Sequence, residues 1–225
     1  MSANLVAAIV AGLLGLAAGI ATHRLNQRLL DMEEDATEPA LPAEALWAPA
    51  LDAVLLFWLL YRHGPGPRSL VAALVILVLV QVLVFDARHR LILNRVMYPA
   101  SLLALLVAVV SPLLVGTWQG RLLSAVAGAL VAGGAFYVLS VVTRGGVGMG
   151  DAKLSFFLGA VLGGLPLPIP PVAEALIWGM LGGGVIAALL LVTRIRKMTD
   201  FIPYGPFLCG GGILELILRG MGTPG

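Results

Sequence analysis

Eight long apolar stretches run through this sequence and restrict what it can fold into. A helix that crosses a bilayer needs about 20 mostly apolar residues, and most of the stretches reach or approach that length. Hydrophobic residues make up 60% of the 225 residues and charged residues only 12%, which is more apolar surface than a soluble domain of this size can bury. We therefore predict an all-α, polytopic membrane protein with about eight transmembrane helices. The predicted spans are residues 3–22, 47–62, 69–86, 91–115, 121–143, 152–167, 173–193 and 205–220.

The chain is predicted to form a single membrane-embedded domain over residues 1–225. Its one long polar segment is a short acidic loop at about residues 23–46, which contains DMEEDATEPALPAE. The net charge is only +2 and no basic cluster typical of nucleic-acid binding is present, so no nucleic-acid partner is expected. The one cysteine, Cys209, excludes an internal disulfide and a multi-cysteine zinc site. We expect no metal.

Lysine and arginine residues are distributed unevenly between the two sides that eight spans create. Ten of the 14 fall on one side and four on the other. The positive-inside rule places the richer side in the cytoplasm. Both termini are then predicted to lie outside, and the loop at 23–46 lies inside.

Two aspartates each lie at the cytoplasmic end of a predicted span. Asp86 ends the third span in VLVFDARHRLILNRV, and Asp151 begins the sixth after the glycine-rich run in GGVGMGDAKL. Two carboxylates at one membrane depth can form an acid–base pair, in which one accepts a proton from water and the other donates a proton to a carbonyl oxygen. From the residues alone, helix caps or interfacial charges are the open alternative. Asp52 and Glu215 fall within apolar stretches, where packing and transport-pathway roles are both open.

The segment GVGMGDAKL resembles the GxGD segment of the type IV prepilin peptidases, which are membrane aspartyl proteases. In that family a G-x-G-x-G-D-x-K-L pattern carries the second catalytic aspartate. The residues that match the pattern are Gly146, Gly148, Gly150, Asp151, Lys153 and Leu154.

Two further segments resemble the same family in the expected order. FDARHRLILNRVMYP is similar to the segment that carries the first catalytic aspartate, with Asp86 in the catalytic position and Asn94 near the family's usual proline–asparagine or proline–aspartate element. IPYGPFLCGG, at residues 202–211, resembles the proline- and glycine-containing loop that enters the last helix. This resemblance makes Pro203, Gly205 and Pro206 a candidate substrate-side loop.

The resemblance implies an endopeptidase of a bacterial-type inner membrane with its active site facing the cytoplasm. It would remove the leader peptide of type IV prepilin or pseudopilin precursors, with Asp86 and Asp151 as the catalytic pair. The implied active-site loop contains Gly146, Gly148, Gly150 and Lys153. Glycines in this run are expected to permit turns with positive φ and to let a substrate backbone or a neighbouring helix approach Asp151.

The sequence departs from the family in its first cytoplasmic loop. Many members carry two CxxC pairs there and also N-methylate the mature pilin with S-adenosylmethionine, whereas this loop is short, acidic and free of cysteine. We therefore expect no cofactor, since S-adenosylmethionine would be needed only for a methyltransferase activity. Two other functions remain open: an ion- or proton-coupled carrier, and a scaffold subunit of a membrane assembly. A carrier favours acids near the bilayer midplane, whereas Asp86 and Asp151 lie at span ends.

Overall fold

The computed structural model describes residues 3–30, 44–115, 121–144, 147–164, 169–194 and 204–221, and over these ranges it contains eight α-helices and no strand. The predicted all-α class is confirmed, and each predicted span corresponds to one helix. The acidic run at 31–38 lies outside the described residues. In chain order the helices are α1 (Ala3–Leu30), α2 (Glu44–His63), α3 (Pro67–His89), α4 (Asn94–Val115), α5 (Arg121–Val142), α6 (Met149–Leu162), α7 (Pro171–Val192) and α8 (Gly205–Arg219).

Within the described residues, four segments are long and apolar enough to cross a membrane: Asn4–Leu25, Pro67–His89, Leu122–Val142 and Pro171–Val192. They lie in α1, α3, α5 and α7, and α4 contains a shorter apolar segment. Helices α6 and α8, with 14 and 15 residues, are shorter than a span usually requires. A membrane protein is therefore supported, while the count of eight spans stays a prediction.

The apolar surface of α7 is of the kind that a helix presents to lipid. Large side chains are exposed along its length, far more than a water-facing helix normally carries. They include Ile177, Trp178, Leu181, Val185, Ile186, Leu189 and Val192.

Two helix boundaries differ from the predicted spans. Helix α1 continues to Leu30, beyond the predicted end at residue 22, because the polar stretch after the span still consists of good helix formers such as leucine, glutamine and arginine. Helix α6 ends at Leu162, before the predicted end at residue 167. There Gly163 adopts φ 85 while its N–H donates to the carbonyl oxygen of Gly159 at 2.9 Å. Only glycine adopts this backbone conformation readily, so the helix stops there.

The described residues group into two compact units. The first contains the chain up to Leu91 and again from Ile213. In it, α1 packs closely on α2 because glycine removes the side chains at the contact. A Cβ added at Gly19 would lie only 2.5 Å from the Cα of Pro49, and Asp52 beside this contact is 1% exposed.

The second unit, residues Ile92–Gly212, holds α6 in place through equally close backbone contacts. Helix α5 approaches α6 at Gly128, where an added Cβ would lie 2.5 Å from the carbonyl oxygen of Gly159. The N–H of Gly164 also donates to the carbonyl oxygen of Ser124 on α5 at 2.7 Å. Small residues that let helix backbones approach are typical of helix packing in membranes.

Candidate active site

Asp86 lies in the last turn of α3, in the first unit. The helix ends three residues later at His89, and Arg90 caps it in the left-handed conformation with φ 53. The N–H of Arg90 donates to the carbonyl oxygen of Asp86 at 2.9 Å, which closes the final turn. The Asp86 side chain is 5% exposed. A carboxylate is therefore held at the end of a long apolar helix and largely shielded from solvent.

Asp151 lies in the first turn of α6, in the second unit. Its Oδ2 accepts a hydrogen bond from the N–H of Gly148 at 3.2 Å, and its own N–H donates to the carbonyl oxygen of Gly148 at 3.1 Å. This reciprocal pair satisfies two backbone groups that the start of a helix otherwise leaves unbonded. The carboxylate is thereby fixed in orientation at the helix entrance.

Burial dominates the ionisation of Asp151, which precedes the predicted sixth span. The side chain is 6% exposed, and loss of hydration raises its pKa to about 6 while the Gly148 N–H bond acts in the opposite direction. Near neutral pH the group is therefore mostly ionised yet close enough to its pKa to accept a proton. These are the properties required of a general base.

The glycines before Asp151 serve a different purpose from the one expected. Gly148 has φ −67, and Gly150 is not among the glycines with positive φ, so the expectation of positive-φ turns is wrong at both positions. Gly150 instead makes room: a Cβ there would lie 2.9 Å from the Cβ of Ile92. The close neighbour of Gly150 is thus Ile92, in the segment between α3 and α4, and the expected approach of a substrate backbone or of the helix that carries Asp86 stays a prediction. Gly146 lies outside the described residues.

Lys153 connects α6 to the start of α4. Its Nζ donates to the side-chain oxygen of Asn94 at 2.5 Å and lies 5.4 Å from the ring centroid of Tyr98, over the ring. A cation in this position interacts favourably with the aromatic face. Two residues of separate sequence motifs, Lys153 and Asn94, are thus brought together, and Lys153 helps to fix the position of α6 against α4.

The proline- and glycine-containing segment forms the start of α8. Pro203 lies outside the described residues, whereas Gly205 and Pro206 are the first two residues of the helix. The carbonyl oxygen of Tyr204 accepts N–H bonds from the first turn. The segment continues into a close contact with α7, where a Cβ at Gly179 would lie 2.7 Å from the carbonyl oxygen of Phe207. The geometry gives this segment a packing role, and its substrate-side role stays a prediction.

Sequence reasoning missed one polar residue near Asp151. Ser155 is fully buried on α6, one turn beyond Asp151. Its i+4 spacing from Asp151 was the available signal, but a serine within an apolar helix does not by its residue type indicate a functional role.

Over the described ranges, no group of three or more His, Cys, Asp and Glu side chains is close enough to hold a metal ion.

Comparisons with known proteins agree with the motifs. Residues 73–192, which contain both aspartates, match the type IV leader peptidase family. The chain is similar to a "Prepilin leader peptidase/N-methyltransferase" of Bacillus subtilis (strain 168), with 32% identity over 69% of this chain and 58% of that protein. Proteins of the same name from Aeromonas hydrophila and Dichelobacter nodosus are 29% and 30% identical, over 74% and 75% of this chain and 56% and 54% of theirs. The chain thus spans little more than half the length of these relatives. No solved structure matches it.

Proposed function

We propose that this chain, which belongs to the type IV leader peptidase family, is an aspartic endopeptidase that removes the leader of prepilin-like precursors. The observation that carries the proposal is Asp151: a buried carboxylate, oriented by the Gly148 N–H at the entrance of α6, within the family's glycine–aspartate motif. The names of the similar proteins supply the substrate class. The proposed catalytic pair is Asp86 and Asp151.

Helix dipoles support a division of roles within the pair. Asp151 lies at the start of a helix, where the dipole and the free N–H groups favour a negative charge. Asp86 lies at the end of a helix, where the dipole disfavours one. We therefore assign Asp151 as the ionised base and Asp86 as the protonated acid of the resting enzyme.

The proposed reaction follows from these roles. Asp151 accepts a proton from water as the water oxygen bonds to the scissile carbonyl carbon, and Asp86 donates its proton to the carbonyl oxygen. The resulting diol collapses when Asp151 returns a proton to the departing nitrogen and the C–N bond breaks. Asp86 regains its proton from a diol hydroxyl. Both carboxyl groups then return to their starting states.

The distribution of basic residues supports a cytoplasmic active site, with both termini outside. A prepilin-like precursor has a basic leader followed by a long apolar helix. Its leader would remain on the cytoplasmic side while the apolar helix lies in the bilayer, so the scissile bond would meet Asp86 and Asp151 at the membrane surface. Pilin precursors and secretion pseudopilins share this layout, and both are candidate substrates.

The proposal is tested by co-expression with a candidate prepilin, with leader removal and N-terminal mass measured together. Asp86→Asn and Asp151→Asn are each expected to abolish cleavage while the protein still inserts, since asparagine keeps the size but cannot relay a proton. Asp52→Asn is the matched control, because it makes the same change at a buried aspartate outside both motifs. It should still cleave. Normal cleavage by either motif variant would reject the assigned pair.

A further inference from the structure

The hydroxyl group of Ser155 is left without a hydrogen bond in a fully buried position. Its residue is 0% exposed, and its Oγ has no hydrogen-bond partner among the described parts of the chain. Serine and threonine within helices commonly donate to the carbonyl oxygen four residues earlier. Thr143 and Thr193, directly after the ends of α5 and α7, make this bond, each at 2.7 Å. Ser155 does not make the corresponding bond, whose acceptor would be the backbone carbonyl oxygen of Asp151.

Ser155 lies close in direction to the Asp151 side chain on α6. Residues four apart are separated by about 40° around a helix. The contacts with α5 are made by Phe156 and Gly159, whose mean direction is about 110° from Asp151. The bond to α4 is made by Lys153, about 160° from Asp151. Ser155 itself is about 70° from the mean direction of the α5 contact and about 160° from Lys153, so it is nearer in direction to the candidate catalytic carboxylate than to either helix contact.

We propose that the Ser155 hydroxyl binds the water molecule that Asp151 activates. The inference rests on the proposed peptidase function. Cβ atoms four residues apart on a helix are separated by about 6 Å. One water that makes two O–H···O bonds of about 2.8 Å can bridge oxygen atoms up to about 5.6 Å apart, a separation that Oγ of Ser155 and a carboxylate oxygen of Asp151 can adopt from Cβ atoms at this spacing. Asp151 already uses Oδ2 for Gly148, so Oδ1 is the atom to which the water would bind.

This arrangement gives the water the partners that a buried water requires. Asp151 accepts one of its protons, Ser155 fixes its orientation, and the substrate carbonyl carbon receives its oxygen. Ser155 keeps its own proton throughout, so the overall reaction remains balanced as written above. A hydroxyl retained without a protein partner lowers stability, which is the type of cost that active sites often carry.

The test compares the purified wild-type protein with Ser155→Ala, using a prepilin substrate that it cleaves. We expect kcat to fall about 3- to 10-fold, the range that corresponds to loss of one hydrogen bond, with little change in KM. The melting temperature should stay equal or rise, because alanine removes a buried hydroxyl that has no partner. Ser140→Ala is the control: the same change at a buried serine on α5, where kcat should stay at the wild-type value.

Two results would overturn the inference alone. One is a wild-type kcat in Ser155→Ala while Asp151→Asn is inactive. The other is a fall in kcat accompanied by a clear fall in melting temperature, which indicates that Ser155 has a packing role. Failure of the folded wild-type protein to cleave any prepilin would instead overturn the proposed function, and this inference with it.

Discussion

Replacing Gly128 with alanine tests whether the close contact between α5 and α6 is as tight as the structure indicates. The new Cβ would lie 2.5 Å from the carbonyl oxygen of Gly159 and 2.6 Å from the backbone nitrogen of Gly164. Ordinary contact at a Cβ begins at 3.4 Å, so the first distance is too short by 0.9 Å. The clashing atoms belong to the backbone and cannot rotate away. The two helices must therefore separate by nearly 1 Å at this point.

The expected loss of stability follows from two opposing effects. Overpacking of this kind costs about 3 kcal/mol, at the upper end of the usual range. The higher helix propensity of alanine returns about 1 kcal/mol. The net loss of about 2 kcal/mol corresponds to a melting temperature lower by roughly 4–8 °C in a chain of this size. Activity should fall further than stability alone requires, because displacement of α6 by about 1 Å moves Asp151 and can reduce the rate about 100-fold.

Gly134→Ala is the matched control on the same helix. A Cβ at Gly134 meets nothing within 4 Å, so only the gain in helix propensity applies. Melting temperatures of both variants in the same detergent, together with prepilin cleavage, provide the measurement. If Gly128→Ala is as stable and as active as Gly134→Ala, the close contact between α5 and α6 is refuted.

Three further predictions concern charge and chemistry. Burial raises the pKa of Asp151 to about 6 from its ordinary value of 3.8, so the wild-type protein loses stability as the pH rises through that interval. Asp151→Asn should therefore melt at a higher temperature than the wild type at pH 7.5 and at a similar one near pH 4; a pH-independent difference would contradict this. Neutralising the acidic run should slow processing more at low ionic strength than at high, because exposed charges that attract a basic leader are screened by salt, and an equal effect at both would reject an electrostatic role. Mass spectrometry of the processed substrate should show an unmethylated N-terminus, since the first loop lacks the cysteine framework, and a stoichiometric methyl group that depends on this chain would refute that expectation. In the ionic-strength experiment, the residues of the acidic run to be neutralised are Asp31, Glu33, Glu34, Asp35 and Glu38.

The helices were predictable because each depends mainly on local composition. Long apolar stretches bounded by polar or glycine- and proline-rich segments predicted all eight helices of the described residues, and Asp86 and Asp151 were correctly expected near helix ends. The end of α6 was placed too late because its last predicted residues are apolar, although Gly163 adopts a backbone conformation that interrupts the helix. Hydropathy alone does not report that conformation.

The contacts within the candidate site were less predictable because they depend on how helices meet. The bond between Lys153 and Asn94 joins residues 59 positions apart, and nothing local in either motif indicates it. The role of Gly150 likewise depends on Ile92, which contacts it from a separate segment. For Ser155 the spacing from Asp151 was visible in the sequence, but the missing hydrogen bond is a property of the folded chain alone.

The shortness of α6 has a consequence for the membrane around it. Fourteen helical residues extend about 21 Å, whereas the hydrocarbon layer of a typical bilayer is about 30 Å thick. If the predicted sixth span crosses the bilayer, a helix of this length would leave roughly 9 Å of that layer unmatched, to which lipids adjust by local thinning. Thinning on the side of Asp151 would bring the headgroup region, and the water within it, towards the carboxylate. The length of the lipid acyl chains would then determine how readily water reaches this aspartate.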